Sequence, residues 1–597
     1  MSRSSRRRPC SQYAAAMSAY DLAGKVVLIT GAARGIGFET ARAAHSRGAS
    51  VALVDLDPGL ATESAESIGE RAIGIGADVT EAAEIEAAVA TAVEQFGRVD
   101  VVVANAGITP RKTTTRAIGT NEWERIVEVN VLGVWRTIRA GIEQVIANRG
   151  QFVLISSSYA HANGIFNSSY ATSKAAVEAL GRALRSELVP HGASATVAYF
   201  AFVKTDLIGD VFDNPVADRF RREMVPSFLT RPMELSQAAD AVIAGIGQRS
   251  VRVIEPPVWK PPLYLRGLLG PLTDRRLERH SRVAGFVADI EAGEEGGGPE
   301  PSVDVSGRGV GPPGSDYDLV GKVVFITGGA RGIGFETGRM AYGRGASVAL
   351  VDLDAGQAED AAARLGPRAI GIAADVTDRE SIEAAVARAK DKFGRVDVVV
   401  ANAGIATLVT TMRAIPAEDW ERVLEVNLFG VWRTVRAGMD EVVRNGGQFV
   451  LVSSSYAFAN GMLNSAYAAA KSGVEAMGRA LRAELGPLGA SATVAYFGWI
   501  KTEMVRSAFE DANADRLRKE VSPPILMRQV PVSQAGRAII RAIESRSPRA
   551  IAPWEWNLLF FARGLFSPLM DRQLESDPTA GEIVLAAEAA ELDRQAG

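Results

Sequence analysis

Short apolar runs alternate along the chain with segments whose apolar positions recur at helical spacing. Lys25–Thr30 (KVVLIT) and Ser50–Asp55 (SVALVD) are rich in β-branched residues and predict buried strands. Val99–Ala104, interrupted by Asp100, Gln151–Ser156 and Ser194–Tyr199 predict three more. Between them, Gly37–Arg47, Ala82–Phe96, Trp123–Ile146 and Tyr170–Val189 predict helices. Strands apolar on both faces, each followed by a helix, predict a parallel sheet covered on both sides. The fold class is α/β, of the doubly wound, Rossmann-like dinucleotide-binding kind.

The pattern occurs twice. Residues 22–57 and 319–354 are identical at 29 of 36 positions, and the offset of 297 persists to RGLLGPLTDRRLE and RGLFSPLMDRQLE near the ends of the copies. A period this long is two whole domains, not a solenoid. The boundaries expected are a disordered leader at 1–20, a first domain at 21–290, a linker at 291–317, a second domain at 318–580 and a C-terminal tail at 581–597. The linker, EAGEEGGGPEPSVDVSGRGVGPPGSD, owes its extended reading to Gly, Pro and acidic residues. The leader is basic but has no apolar run of signal-peptide length, and Met17 is an alternative start.

Composition narrows the chemistry. Of 597 residues, 66 are Lys or Arg and 70 Asp or Glu, a net charge of −4 that gives no support to a nucleic-acid or anionic-membrane partner. The single cysteine, Cys10, excludes an intrachain disulfide framework and a cysteine-based metal site, and together with the missing signal it points to the cytoplasm. The four histidines, His45, His161, His191 and His280, have no counterpart in the other copy, so no metal site is expected and acid–base chemistry should rest elsewhere.

The first strand of each copy runs into a glycine-rich turn that opens a helix. In the first copy the turn holds Gly31, Arg34, Gly35, Ile36 and Gly37; in the second, Gly328, Arg331, Gly332, Ile333 and Gly334. Such glycines allow a tight turn and close approach of the backbone to a pyrophosphate, which the helix N-terminus then faces. Asp55 and Asp352 end the second strands, where a carboxylate can accept from the ribose hydroxyls and repel a 2′-phosphate. NAD is therefore favoured over NADP, with Arg34 and Arg331 as the contrary signal. A turn or helix cap is the structural alternative for Asp55.

Tyr170 and Lys174 stand four apart on one helical face; Ser157 lies 13 residues before Tyr170 and Asn130 lies 40 before it. The second copy repeats them as Tyr467, Lys471, Ser454 and Asn427. With the glycine turn, the strand-end aspartate and Asn105-Ala106-Gly107 (Asn402-Ala403-Gly404), the chain resembles the short-chain dehydrogenase/reductase family over about residues 21–250 and 318–547. The resemblance implies Tyr170 and Tyr467 as general acid/base. Lys174 and Lys471 would bind ribose and lower the tyrosine pKa. Ser157 and Ser454 would orient the carbonyl, and Asn130 and Asn427, at a helix kink, would hold a relay water. It also implies cofactor contacts at Asp78-Val79 and Asp375-Val376, at Asn105 and Asn402, and at Thr205 and Thr502 with Val203 and Ile500 just before them.

The family's usual Pro-Gly after the sixth strand is absent. Phe200-Ala201-Phe202 and Phe497-Gly498-Trp499 stand there, suggesting a bulky apolar pocket. Phe212, Phe220, Met224, Phe228 and Leu229 follow in the lid region, fitting an apolar substrate or a lid seated on the core. The aromatic segments past residue 254 have three roles open to them: a substrate entrance, a subunit contact, or a membrane surface, the last being the minor alternative.

The expected activity is hydride transfer between NAD and a secondary alcohol or ketone, with an active site in each half. The alternatives are an NADP-dependent keto-reductase, one catalytic half beside a structural half, and a nucleotide-sensing scaffold. Family members pair through two helices, which predicts an intramolecular pseudo-dimer open to further self-association.

Overall fold

A computed structural model of the protein describes residues 20–205, 214–292, 316–521 and 527–596. The leader up to residue 19, most of the linker, and Phe212 lie outside the described residues.

Each half forms one seven-stranded parallel sheet. The first contains β1 (Val26–Thr30), β2 (Ser50–Asp55), β3 (Ala72–Gly76), β4 (Val101–Ala104), β5 (Gln151–Ser157), β6 (Ser194–Phe200) and β7 (Arg252–Glu255), in the order β3-β2-β1-β4-β5-β6-β7. The second repeats that order with β8 (Val323–Thr327), β9 (Ser347–Asp352), β10 (Ala369–Ala373), β11 (Val398–Ala401), β12 (Gln448–Val452), β13 (Ser491–Phe497) and β14 (Arg549–Ala552). The central strands VVLIT and VVVA are buried throughout, so the runs of β-branched residues are satisfied from both faces. The order reverses between β1 and β4, which opens a crevice at their C-terminal ends.

Asp100, the polar residue that interrupts the fourth apolar run, is fully buried but not idle. One carboxylate oxygen accepts from the Val26 N–H at 3.0 Å, and the group also takes both branches of the Arg98 guanidinium. Asp397 does the same with Val323 and Arg395. A buried charge paired and hydrogen-bonded in this way locks the edge of one strand to the next.

The long helix expected over Trp123–Ile146 is interrupted. Thr120–Val127 passes through one wide π turn, Glu128–Leu132, into Gly133–Ala147, and the second half repeats this at Glu425–Phe429. Each turn carries the asparagine singled out in the sequence, Asn130 or Asn427.

The halves pack through these helices and through Ser168–Leu188 against Ser465–Leu485. Trp135 stacks on Trp420 with ring centres 4.3 Å apart, and a matching pair joins Trp123 to Trp432. Arg136 bridges to Glu421 and Arg433 to Glu124, each reaching across to the other half. Glu187 accepts from the backbone N–H groups of Met412 and Leu463 at 2.8 and 2.9 Å; its counterpart Glu484 accepts from Thr115 and Phe166 at 2.6 and 2.8 Å.

The C-terminal segments form arms that cross between the halves. Asp274 and Glu278, on helix Arg266–Arg279 of the first half, pair with Arg479 and Arg482 of the second. Asp571 and Glu575, on helix Trp556–Ser576, pair with Arg182 and Arg185 of the first. The two arm helices touch where both carry glycine. A Cβ on Gly267 would stand 2.1 Å from the Phe561 carbonyl oxygen, and one on Gly564 would stand 2.0 Å from that of Tyr264. Of the three roles open to these segments, the structure thus realises a contact between the halves. Each arm then returns to its own half: Glu291 accepts from Thr114, and Glu588 accepts from Thr411. The helix Pro578–Ala596 runs through the boundary expected at residue 580, and its buried Ile583, Val584 and Ala587 seat it on the second half.

Candidate active site

The glycine turn is built by close approach. Gly31 and Gly35 have φ of +64° and +62°, a region where a side chain is strained. A Cβ on Gly37 would meet the Gly31 carbonyl oxygen at 2.4 Å. The helix Gly35–His45 starts from Arg34 with no side-chain cap, so its first N–H groups are left for whatever enters the turn. Ile36 packs into the core beneath. Gly328, Gly332 and Gly334 repeat the geometry; Arg331 pairs with Glu503, and Ile333 packs inward.

Asn105 ties this turn to the fourth strand. Its Nδ2 donates to the carbonyls of Thr30 and Gly31 at 3.0 and 2.9 Å, and Asn402 does likewise with Thr327 and Gly328. The Thr30 hydroxyl accepts from the N–H groups of Asn105 and Ala106, a role for the threonine that the sequence reading missed although both copies keep it. Ala403 is held the same way by Thr327.

Asp55 faces the turn. One carboxylate oxygen accepts from Ala33 N–H at 2.9 Å, and Asp352 accepts from Ala330 at 3.0 Å. The helix cap is Asp57, which accepts from Leu60 N–H, so Asp55 is free of that task. Asp78 closes a small turn on Thr80, as Asp375 does on Thr377. Val79 and Val376 lie against Gly133 and Gly430. Thr205 and Thr502 come to the rim of the glycine turn, 3.8 and 3.7 Å from the Cβ positions of Gly35 and Gly332. Just before them, Val203 and Ile500 form isolated bridges to Met233 and Val530.

Ser157 ends β5, and its hydroxyl bonds to the Tyr170 side chain and donates to the Phe200 carbonyl at 3.1 Å. Lys174 lies one turn along the helix from Tyr170. Its Nζ donates to the Ile155 carbonyl at 3.0 Å and stands 5.5 Å from the centre of the Tyr170 ring. Asn130 uses its whole amide: Oδ1 accepts from Ile108 N–H, and Nδ2 donates to the Ile108 carbonyl and to Ser173. Gly107 separates these groups; a Cβ there would be 3.1 Å from Asn130 Oδ1 and 3.5 Å from Lys174 Nζ. Ser454, Tyr467, Lys471, Asn427 and Gly404 repeat the arrangement, with Lys471 donating to Val452 at 2.9 Å and Asn427 Nδ2 to the Ile405 carbonyl, but Ala470 stands where the first half has Ser173.

Burial pushes the hydroxyls of Tyr170 and Tyr467 up to about 12, outweighing the lowering by the serine hydrogen bonds. Burial lowers Lys174 and Lys471 to about 8. Desolvation penalises the phenolate more than the serine hydroxyl stabilises it. Each tyrosine is thus a protonated donor at neutral pH.

Two neighbours were not foreseen. Tyr159 and Tyr456 stand edge-on to Tyr170 and Tyr467 at 5.8 Å. The signal was available, since both copies read Ser-Ser-Ser-Tyr. In the first half Lys112 Nζ lies 5.6 Å over the Tyr159 ring, and burial lowers it to about 7. The second half has Val409 at that position, packed beside Met462 and Leu463, and Trp499 stands edge-on to Tyr456 at 6.2 Å. In the lid, Phe220 packs edge-on between Phe166 and Phe286, so it seats the lid on the core; Phe228 is exposed.

A doubly wound sheet with a phosphate turn at its switch point and a Ser–Tyr–Lys–Asn cluster across the crevice defines a nicotinamide-dependent oxidoreductase. The sequence profile described as short chain dehydrogenase matches residues 25–215 and 322–513, and the chain belongs to this family, whose members act on CH–OH groups. An uncharacterised short-chain type dehydrogenase/reductase of Sinorhizobium fredii is 24% identical over 490 residues, covering 80% of this chain and 82% of its own. Human 3-hydroxyacyl-CoA dehydrogenase type-2 is 38% identical over 181 residues, 28% of this chain and 69% of its own. The (−)-trans-carveol dehydrogenase of Rhodococcus erythropolis is 38% identical over 184 residues, 28% and 66%. The solved N-domain of a bacterial malonyl-CoA reductase with NADP shares the tandem fold, with a TM-score of 0.59, 17% identity and coverage of 86% of this chain and 98% of that one.

Proposed function

We propose that each half transfers a hydride between NAD and a secondary alcohol or ketone with an apolar body. The observation that carries this reading is the duplicated convergence of Ser157, Tyr170 and Lys174 with Ser454, Tyr467 and Lys471, each set beside its own glycine turn. The nicotinamide, when bound, supplies or accepts the hydride at the carbinol carbon. In the reducing direction negative charge grows on the carbonyl oxygen. The Ser157 hydroxyl donates a hydrogen bond there, and Tyr170 gives its O–H proton to the forming alkoxide. Lys174, fixed by the Ile155 carbonyl, places its ammonium beside the resulting phenolate. Oxidation runs the same proton path backwards. Asn130 holds the Gly107–Ile108 backbone that flanks this path.

Asp55 and Asp352 support NAD, because their carboxylates face the turn without a helix-capping task. The reading of an apolar body rests on the aromatic residues after the sixth strands, such as Trp499 edge-on to Tyr456. Relatives named for a hydroxyacyl-CoA and for carveol suit such substrates. The test is a screen of secondary alcohols for NADH and NADPH production. Turnover with NADP⁺ and none with NAD⁺ would favour the keto-reductase reading. Turnover abolished by Tyr170→Phe or Tyr467→Phe alone would make one half structural.

A further inference from the structure

The crossed arms carry an uncovered apolar face. Leu268 and Leu272 on one arm helix, and Trp554, Leu558, Leu565 and Leu569 on or beside the other, are 53–73% exposed. They recur at intervals of four or seven residues, which aligns them in one stripe on each helix. Arg266 and Arg563 leave the opposite sides of these helices and point inward to Glu178 and Glu475, so both stripes face away from the body. Scattered exposed leucines are ordinary, but a continuous apolar face across two touching helices marks an interaction surface.

The charge around this face has one sign. All four acidic residues of the two arm helices, Asp274, Glu278, Asp571 and Glu575, are engaged with arginines of the opposite half. On the helices that carry the stripes, Lys260–Tyr264, Arg266–Arg279 and Trp556–Ser576, the exposed charges left are cations: Lys260, Arg275, Arg276, Arg279 and Arg572. A second copy docking about a two-fold axis would set these cations against their own images. Among the described residues, no helix is long and apolar enough to cross a membrane.

We propose that the crossed arms form a peripheral docking surface for a membrane bearing anionic lipid. The leucine and tryptophan stripes enter the headgroup boundary, and the five cations lie over the lipid anions. The arms keep their shape in doing so, because the glycine contact and the buried ion pairs beneath them are independent of the outer face.

The test uses the full chain and sedimented vesicles of phosphatidylcholine with and without about 30% phosphatidylserine. Binding is expected to the anionic vesicles, to weaken with salt, and to fall about tenfold or more in a Leu558→Ser/Leu565→Ser variant. An Arg275→Glu/Arg276→Glu/Arg572→Glu variant is expected to lose the preference for anionic lipid. Both variants change exposed side chains, so unchanged far-ultraviolet circular dichroism checks their fold. Absence of binding to anionic vesicles by the parent protein overturns the proposal. So does a stable assembly of two chains that the Leu558→Ser/Leu565→Ser variant separates, which would give the face to a second copy.

Discussion

The indole of Trp123 lies flat on that of Trp432, with ring centres 4.6 Å apart and planes 9° from parallel. One belongs to each half, and both are fully buried. Trp123→Ala should therefore destabilise both halves in one transition, by about 3–5 kcal/mol. Adding Trp432→Ala should cost less than the sum of the single changes, because the second removes a stack already broken. Urea unfolding followed by circular dichroism measures both. Strictly additive losses would show that the stack couples nothing.

If both halves turn over, Tyr170→Phe and Tyr467→Phe should each leave part of the activity and together remove nearly all of it. Phenylalanine keeps the ring and deletes the proton, so cofactor binding should survive. Steady-state rates beside NADH fluorescence titration separate the two effects.

Asp55→Asn and Asp352→Asn should weaken NADH binding by about tenfold per half, since the amide is a poorer acceptor for ribose hydroxyls than a carboxylate. NADPH should lose less or gain, because a negative charge near the 2′-phosphate is removed. Equal losses for both cofactors would assign the aspartates to the turn alone.

Lys112→Met should move the first half toward apolar substrates while leaving the second unchanged, because Lys112 lies over Tyr159 in the first half where the second has Val409. The contrast is read in a Tyr467→Phe background, as the ratio of kcat/KM for a keto-acid and its methyl ester. An unchanged ratio would place Lys112 outside the pocket.

Glu187 and Glu484 give the stability a pH dependence of definite sign. Burial raises them to about 8 and about 7, despite the backbone N–H groups that favour their charged forms. The folded state thus holds these protons more tightly than the unfolded chain. Their contribution is complete below about pH 4.5 and is lost as pH rises through 7 and 8. Unfolding free energy should drop by a few kcal/mol across that window. Glu187→Gln/Glu484→Gln should flatten the slope.

The central sheet was legible because VVLIT, SVALVD and VVVA are unbroken apolar runs. The edge strand Ala72–Gly76 was not, since AIGIG is only half-buried and broken by glycine. The glycine turn and the Ser–Tyr–Lys–Asn set were visible as types and spacings repeated in both copies. The family resemblance implied a helix kink at Asn130; its form as a π turn depends on where the helix bonds shift and not on residue type. Spacing reveals a neighbouring ammonium but not the desolvation that raises the tyrosine hydroxyls here. The arm exchange was illegible for a further reason. It rests on pairs such as Arg182–Asp571, whose partners stand in different copies of the repeat.

That exchange also bears on how the two copies could diverge. Subunits made separately would sort into like and unlike pairs, and any change on one face would have to suit its own mirror image. Here Arg182 always meets Asp571, and Arg479 always meets Asp274. Fusion removes the self-pairing constraint, so one copy can replace Val by Lys beside its tyrosine while the other keeps an apolar wall. The tandem chain is a permanent heterodimer, free to specialise its two sites without losing its partner.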